Sequence, residues 1–116
     1  MKALAEFESC AKRLKALADP ERLRIINLLF EGPRHVSDLA DLLHDEIVKV
    51  SHHLGVLRKA DLVQTRKEGR FVQYMLHPDV LRGPQSAASA HTIELGCCRL
   101  ELPPASAAAA RSVKRP

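Results

Sequence analysis

The residue pattern predicts a mainly α domain carrying one β-hairpin. Four segments between residues 3 and 60 place apolar residues at helical spacing. Residues 62–76 then switch to the two-residue period of strands. Two of the helical segments are short and joined by the three-residue polar break His44-Asp45-Glu46, and a basic hairpin follows them directly. Two short helices, a tight break and a hairpin make the winged helix-turn-helix layout.

The first helix is expected over residues 3–18, where Leu4, Phe7, Ala11, Leu14 and Leu17 form an apolar stripe. Asp19 suits an N-cap, and Pro20 suits the first position of the next helix, where its missing N–H costs nothing. That second helix, residues 20–30, carries Leu23, Ile25, Ile26, Leu28 and Leu29 nearly all round, which marks it as central to the core. Gly32-Pro33 ends it. In a third helix, residues 35–43, Val36, Leu39, Ala40 and Leu43 fall on one face. A fourth, residues 47–60, turns Ile47, Val50, Leu54 and Leu57 inward, with Asp61 taking the left-handed position after it. Residues 62–66 and 70–76 form the hairpin, with Lys67-Glu68-Gly69 as its turn. Beyond Pro78 a helix is expected over residues 87–95, stopped by Gly96. Cys98, Leu100 and Leu102 then alternate like a short strand, and the Pro- and Ala-rich remainder reads as a disordered basic tail. The expected organisation is one folded unit over 1–96 and an extension over 97–116.

The outward face of the fourth helix carries Val48, Lys49, His52, Gly55 and Lys59, with Ser51 and Arg58 at its sides. Such a helix fits the major groove of DNA. Lys49 can donate to guanine acceptors, Val48 can meet a thymine methyl, and flanking polar residues meet phosphate. The hairpin tip gathers Arg66, Lys67 and Arg70 around Gly69, a cationic cluster suited to phosphate or the minor groove. Asp45 and Glu46 oppose this, because they set negative charge at the start of the same helix.

The stretches LKALADPERLRIINLL (14–29), VSDLADLL (36–43), VSHHLGVLRKADLV (50–63), KEGRF (67–71) and QYML (73–76) together resemble the ArsR/SmtB family of bacterial repressors. The resemblance covers about residues 10–80. It implies a homodimer, built through the first and last helices, that binds double-stranded DNA at an imperfect palindrome and is released by a ligand, commonly a metal or metalloid. The family's cysteine box in the helix before the recognition helix is absent, because that region reads His35-Val36-Ser37-Asp38-Leu39. A second family site, between the last helices of two subunits, maps onto His91 and Glu94, which would share a helix face. Its other two positions fall on Pro78 and Val80, which cannot ligate. His77 and Asp79 lie beside them.

Three cysteines remain: Cys10, Cys97 and Cys98. With first and last helices sharing the dimer interface, they are expected to converge. Thiolates select soft ions, so arsenite- or antimonite-type As(III) or Sb(III), or a soft metal ion, is the expected inducer, with oxidation as an alternative and plain packing as another.

The remaining bulk properties narrow the function classes. The chain of 116 residues is 46% hydrophobic but only 3% aromatic, with a formal net charge of +4, which permits a nucleic-acid partner. An odd cysteine count argues against a secreted disulfide framework, and no apolar run suits a membrane span, so a cytoplasmic location is expected. Ser51, His52 and His53 do not make a catalytic group, because adjacent helical residues point about 100° apart. No enzyme activity is expected. The competing reading is a winged-helix module that contacts only protein.

Overall fold

A computed structural model describes residues 2–81 and 91–103. Four helices, α1 (Lys2–Leu17), α2 (Pro20–Leu29), α3 (Val36–Leu43) and α4 (Ile47–Lys59), pack around one core. The two-residue strand β1 (Arg34–His35) precedes α3. The strands β2 (Val63–Glu68) and β3 (Phe71–Leu76) follow α4, then a 3-10 turn at Pro78–Leu81, and finally β4 (His91–Glu94) and β5 (Arg99–Leu102).

Local chemistry explains the helix boundaries. Asp19 Oδ1 accepts from the Glu21 and Arg22 amides at 2.8 and 3.2 Å, so the first free N–H groups of α2 are satisfied. His35 is extended and its amide donates to Asp38 Oδ2 at 3.3 Å, which fixes the entry into α3. His44 ends α3 in the left-handed region (φ 54°), and Asp61 does the same after α4 (φ 58°). Asp61 then lets the Leu62 amide reach back to the Leu57 carbonyl at 3.0 Å and aims the chain into β2.

β2 and β3 pair antiparallel from Val63 opposite Leu76 to Glu68 opposite Phe71, with Gly69 at positive φ in the turn. β1 adds to the other edge of β3, with Arg34 opposite Tyr74 and His35 opposite Gln73. The wing is therefore a three-stranded sheet in the order β1-β3-β2, rooted at the start of α3. The core is aliphatic. Ile25 and Ile26 of α2, Leu39 of α3, and Val50, Leu54 and Leu57 of α4 are fully buried, as is Leu62 at the root of the wing.

Residues 91–94 are a strand, where a helix over 87–95 was expected. Residues 87–90 lie outside the described residues. β4 pairs with β5 from His91 opposite Leu102 to Glu94 opposite Arg99, and Gly96 at φ 100° supplies the turn. The β-branched pair Thr92-Ile93 and the partner strand's Leu100 and Leu102 favour a pleated surface that a nine-residue window read at helical period conceals. Ile93, Leu95 and Leu102 enter the same core as α1 and α2. The hairpin thus runs across the point between residues 96 and 97 where the sequence suggested a boundary. Residues 91–96 also do not offer the helical dimer face expected of them, since Ile93 and Leu95 are spent within their own chain. Ile47 is a smaller correction: at 52% exposed, on the first residue of α4, it stands outside the inward row Val50, Leu54 and Leu57.

Candidate nucleic-acid interface and sulfur cluster

α4 presents two faces of different chemistry. Val50, Leu54 and Leu57 anchor it, and Val48, Lys49, Ser51, His52, Arg58 and Lys59 are all exposed. Val48 is 77% exposed, beside Ile47 at 52%. His53 departs from this face. Its Nδ1 accepts from the Arg22 guanidinium at 3.1 Å, and Arg22 also donates through Nε to the Ala16 carbonyl. One arginine thereby ties the end of α1, the start of α2 and the middle of α4. The sequence contained no local signal for this bracket, because its members are 31 residues apart.

The same bracket bears on Asp19. Burial works against its ionisation, but the Arg22 and Glu21 amides and the charge of Arg22 outweigh that and hold the carboxyl below its ordinary value.

The wing carries Arg66, Lys67 and Arg70, all exposed. Arg66 donates to Gln73 Oε1 across the β2–β3 pair at 3.1 Å, which directs it along the sheet. Phe71, 59% exposed beside the Gly69 turn, leans on the His35 ring with centroids 5.4 Å apart, and His35 Nε2 lies 3.4 Å from Glu68. The base of α3 therefore braces the wing, a role for His35 that became visible only once β1 joined the sheet. Asp41, His44, Asp45 and Glu46 line a shallow cleft at the turn between α3 and α4. Asp45 Oδ1 accepts the Glu46 amide at 2.8 Å, so one of these carboxylates is occupied in shaping the turn.

The three cysteines converge, and their sulfurs lie within 4.8 Å of one another. Cys10 and Cys97 are joined as a disulfide spanning 87 residues, with Cα atoms 5.8 Å apart. Cys98 is free and exposed, its Sγ 3.8 Å from that of Cys10. The expected convergence is present, with two of the three sulfurs bonded to each other in this state. The reason lies in the β4–β5 turn, which lays Cys97 against the buried Cys10 of α1. The disulfide does not join the neighbours Cys97 and Cys98, whose adjacency makes such a bridge difficult.

His91 and Glu94 do not form a shared ligand face. In a strand, positions three apart point to opposite sides. His91 stacks on Phe30 with centroids 4.4 Å apart and bonds Asn27 Oδ1 through Nδ1, whereas Glu94 pairs with Arg99 at 3.0 Å. Burial lowers the His91 pKa from its ordinary value, partly opposed by the charge of Glu31. His77 and Asp79 lie close to each other at 3.7 Å, and the His77 ring accepts the Asp79 amide at the start of the 3-10 turn. Among the described residues, no helix is long and apolar enough to cross a membrane.

Comparison with known proteins agrees with this architecture. Residues 19–65 match the model of the bacterial regulatory protein, arsR family. The chain is 34% identical over 68 residues to the transcriptional repressor SdpR of Bacillus subtilis, covering 59% of this chain and 76% of that one. It is 43% identical over 67 residues to the arsenical resistance operon repressor of Escherichia coli, covering 57% of each. Among solved structures, a homodimeric winged helix-turn-helix DNA-binding domain from Mycobacterium bovis superposes with a TM-score of 0.63 at 32% identity, covering 66% of this chain and 70% of that one. These relatives are regulators and not enzymes, and the family pattern falls on α2 to β2, the stretch that includes α4. The chain is a winged helix-turn-helix transcriptional regulator and belongs to the arsR family.

Proposed function

We propose that the protein is a homodimeric repressor that reads double-stranded DNA through α4 and the wing and is released at its sulfur cluster. The observation that carries the DNA reading is the exposed row Val48, Lys49, Ser51, His52, Arg58 and Lys59, held rigid by the buried row Val50, Leu54 and Leu57. Val48, Lys49 and His52 face base edges; Ser51, Arg58 and Lys59 meet flanking phosphate. Arg66, Lys67 and Arg70 add phosphate contacts from the wing. Support for the dimer comes from α1, where Leu4, Phe7 and Leu14 are 61%, 63% and 42% exposed along one stripe. An apolar stripe of this kind on a helix already packed through its other side calls for a partner, and a second copy brings two α4 helices to successive major grooves about 34–36 Å apart on an imperfect palindrome.

The inducer acts at Cys10, Cys97 and Cys98. Once the disulfide is reduced, three thiolates converging from α1 and the β4–β5 turn suit a soft ion such as As(III) or Sb(III), and an oxidant acts on the same sulfurs by closing the bridge. Either event changes how the hairpin is tied to the helix that carries the dimer stripe. To loosen DNA, the inducer must bind the DNA-free form more tightly, by about 1.4 kcal/mol for each tenfold loss of affinity.

The test is a DNA-binding titration against salt. The parent should bind with an affinity that falls steeply as salt rises. Lys49→Ala and His52→Ala should lose sequence preference with the fold intact, and Arg70→Ala should weaken all sequences alike. No binding at low salt would mean that the domain contacts only protein. For the cluster, the reduced protein is titrated on DNA with arsenite, antimonite, cadmium and an oxidant, alongside a Cys97→Ser/Cys98→Ser variant. Equal responses from both proteins would remove the sulfurs from the sensing role.

A further inference from the structure

We infer that Cys98 is a second disulfide partner for Cys10, so that in the oxidised protein the bond migrates between Cys97 and Cys98. Three observations carry this. Cys10 is fully buried on α1 and is the fixed member of the bridge. Cys98 is free and its Sγ stands 3.8 Å from Cys10 Sγ, in contact with the very sulfur already bonded to Cys97. The residues that present Cys97 and Cys98 form a turn at Gly96, where the Leu95 amide bonds the Cys98 carbonyl at 2.9 Å. Turns with few buried contacts open locally at lower cost than paired strands, so the side chains of this exposed turn can reorient.

The chemistry balances without an outside oxidant or reductant. Cys98 gives up its thiol proton to solvent. The resulting thiolate attacks Cys10 Sγ, forming the Cys10–Cys98 bond as the Cys10–Cys97 bond breaks. Cys97 leaves as a thiolate and takes up a proton. Oxidation state is unchanged, and only the linkage moves. Attack requires approach along the existing S–S axis, and the three sulfurs form a triangle, so the exposed Cys98 side chain rotates before it reacts. Attack on Cys10 rather than on Cys97 follows from the layout: a Cys97–Cys98 bond would join adjacent residues, a geometry that stores strain.

The inference goes beyond the inducer reading, because the exchange proceeds whether or not the cluster controls DNA. It assigns unequal roles to three cysteines that composition treats alike. Cys10 is the pivot that no oxidised form can do without. Cys97 and Cys98 substitute for each other, so either single loss leaves α1 and the hairpin joined.

Linkage mapping tests this on the full chain. The air-oxidised protein is held at mildly alkaline pH to let exchange proceed, quenched in acid, alkylated at its free thiol and digested. Fragmentation between residues 97 and 98 then shows which of the two carries the alkyl group. Both linkages should be present within about a tenfold ratio, since neighbouring thiols in one turn differ little as leaving groups. Cys97→Ser should oxidise to Cys10–Cys98, Cys98→Ser to Cys10–Cys97, and Cys10→Ser should give no bond between α1 and the hairpin. The two surface variants keep the test valid if Cys10→Ser folds poorly. A parent holding only Cys10–Cys97 after incubation overturns the proposal, as does a Cys97→Ser variant that stays fully reduced under the same oxidation. A normal linkage map with no effect of thiol reagents on DNA would overturn the inducer reading alone.

Discussion

α4 and the β4–β5 hairpin solve opposite problems with the same residue types. Val50, Leu54 and Leu57 of α4 are buried from one side of the helix, and Val48, Lys49, Ser51, His52, Arg58 and Lys59 are left exposed. The hairpin buries Thr92, Ile93, Leu95 and Leu102 within its own chain and is tied on by a disulfide, a ring stack and a side-chain hydrogen bond. The first is a rigid platform whose surface is its product. The second is a clasp whose attachments are chemically reversible: one answers to thiols, and another includes a titrating imidazole. The ties of the hairpin can thus be loosened chemically without touching the buried row of α4.

The sharpest way to break this contrast is to attack the platform. Leu54 is fully buried at the centre of α4, and Leu54→Ala should cost about 2–5 kcal/mol through lost burial and a cavity. Chemical denaturation should show the loss equally in oxidised and reduced protein, because the platform does not depend on the clasp. A loss that vanished on reduction would mean that the two regions fold as one unit.

Reducing the Cys10–Cys97 bond is the next largest change. Closing an 87-residue separation restricts the unfolded chain, so reduction should lower stability by about 2–4 kcal/mol. Native-state hydrogen exchange should localise the added opening to the amides of Ile93 and Leu95, with α4 changed only through global unfolding. Faster sub-global exchange throughout α4 would show that the hairpin also holds the reading helix in place.

Capping and titration give the smaller effects. Asp19→Ala should cost about 1 kcal/mol, since two amides at the start of α2 lose their acceptor. The folded pKa of Asp19 is depressed, so its contribution is complete above the ordinary carboxylate value of 3.8 and fades as pH falls through the lower folded value. His91 is the corresponding case on the clasp. Its folded pKa lies below 6.5, so the unfolded chain binds the proton more readily and stability falls as pH drops through that value. Thermal unfolding at neutral and mildly acidic pH should show this loss in the parent and a smaller one in His91→Phe, which keeps an aromatic ring against Phe30.

The contrast also explains what could be read from the sequence. α1 to α4 were legible because each has its own period and its own punctuation: Asp19-Pro20, Gly32-Pro33 and Asp61 all act within a few residues of where they sit. The exposed row of α4 followed from the buried one. β1 was not legible, because Arg34 and His35 become a strand only by pairing with Tyr74 and Gln73, some 40 residues on. Ile93 and Leu95 read as part of a helix for the same reason, since their pairing and burial are decided by β5, α1 and α2. The cysteines were expected to meet, but nothing in the spacing of Cys10, Cys97 and Cys98 says which two bond. That depends on how the turn at Gly96 lies against α1.

The covalent bond from Cys10 to Cys97 has a topological consequence for the oxidised chain. It turns residues 10–97 into a closed ring, and α2 through the wing lies on that ring. A single backbone cut anywhere on the ring, at the wing tip for instance, opens the circle but releases no piece. The nicked molecule keeps the full mass of the chain until a thiol is added, so oxidised protein can lose continuity of its backbone and still present α4 as one connected molecule.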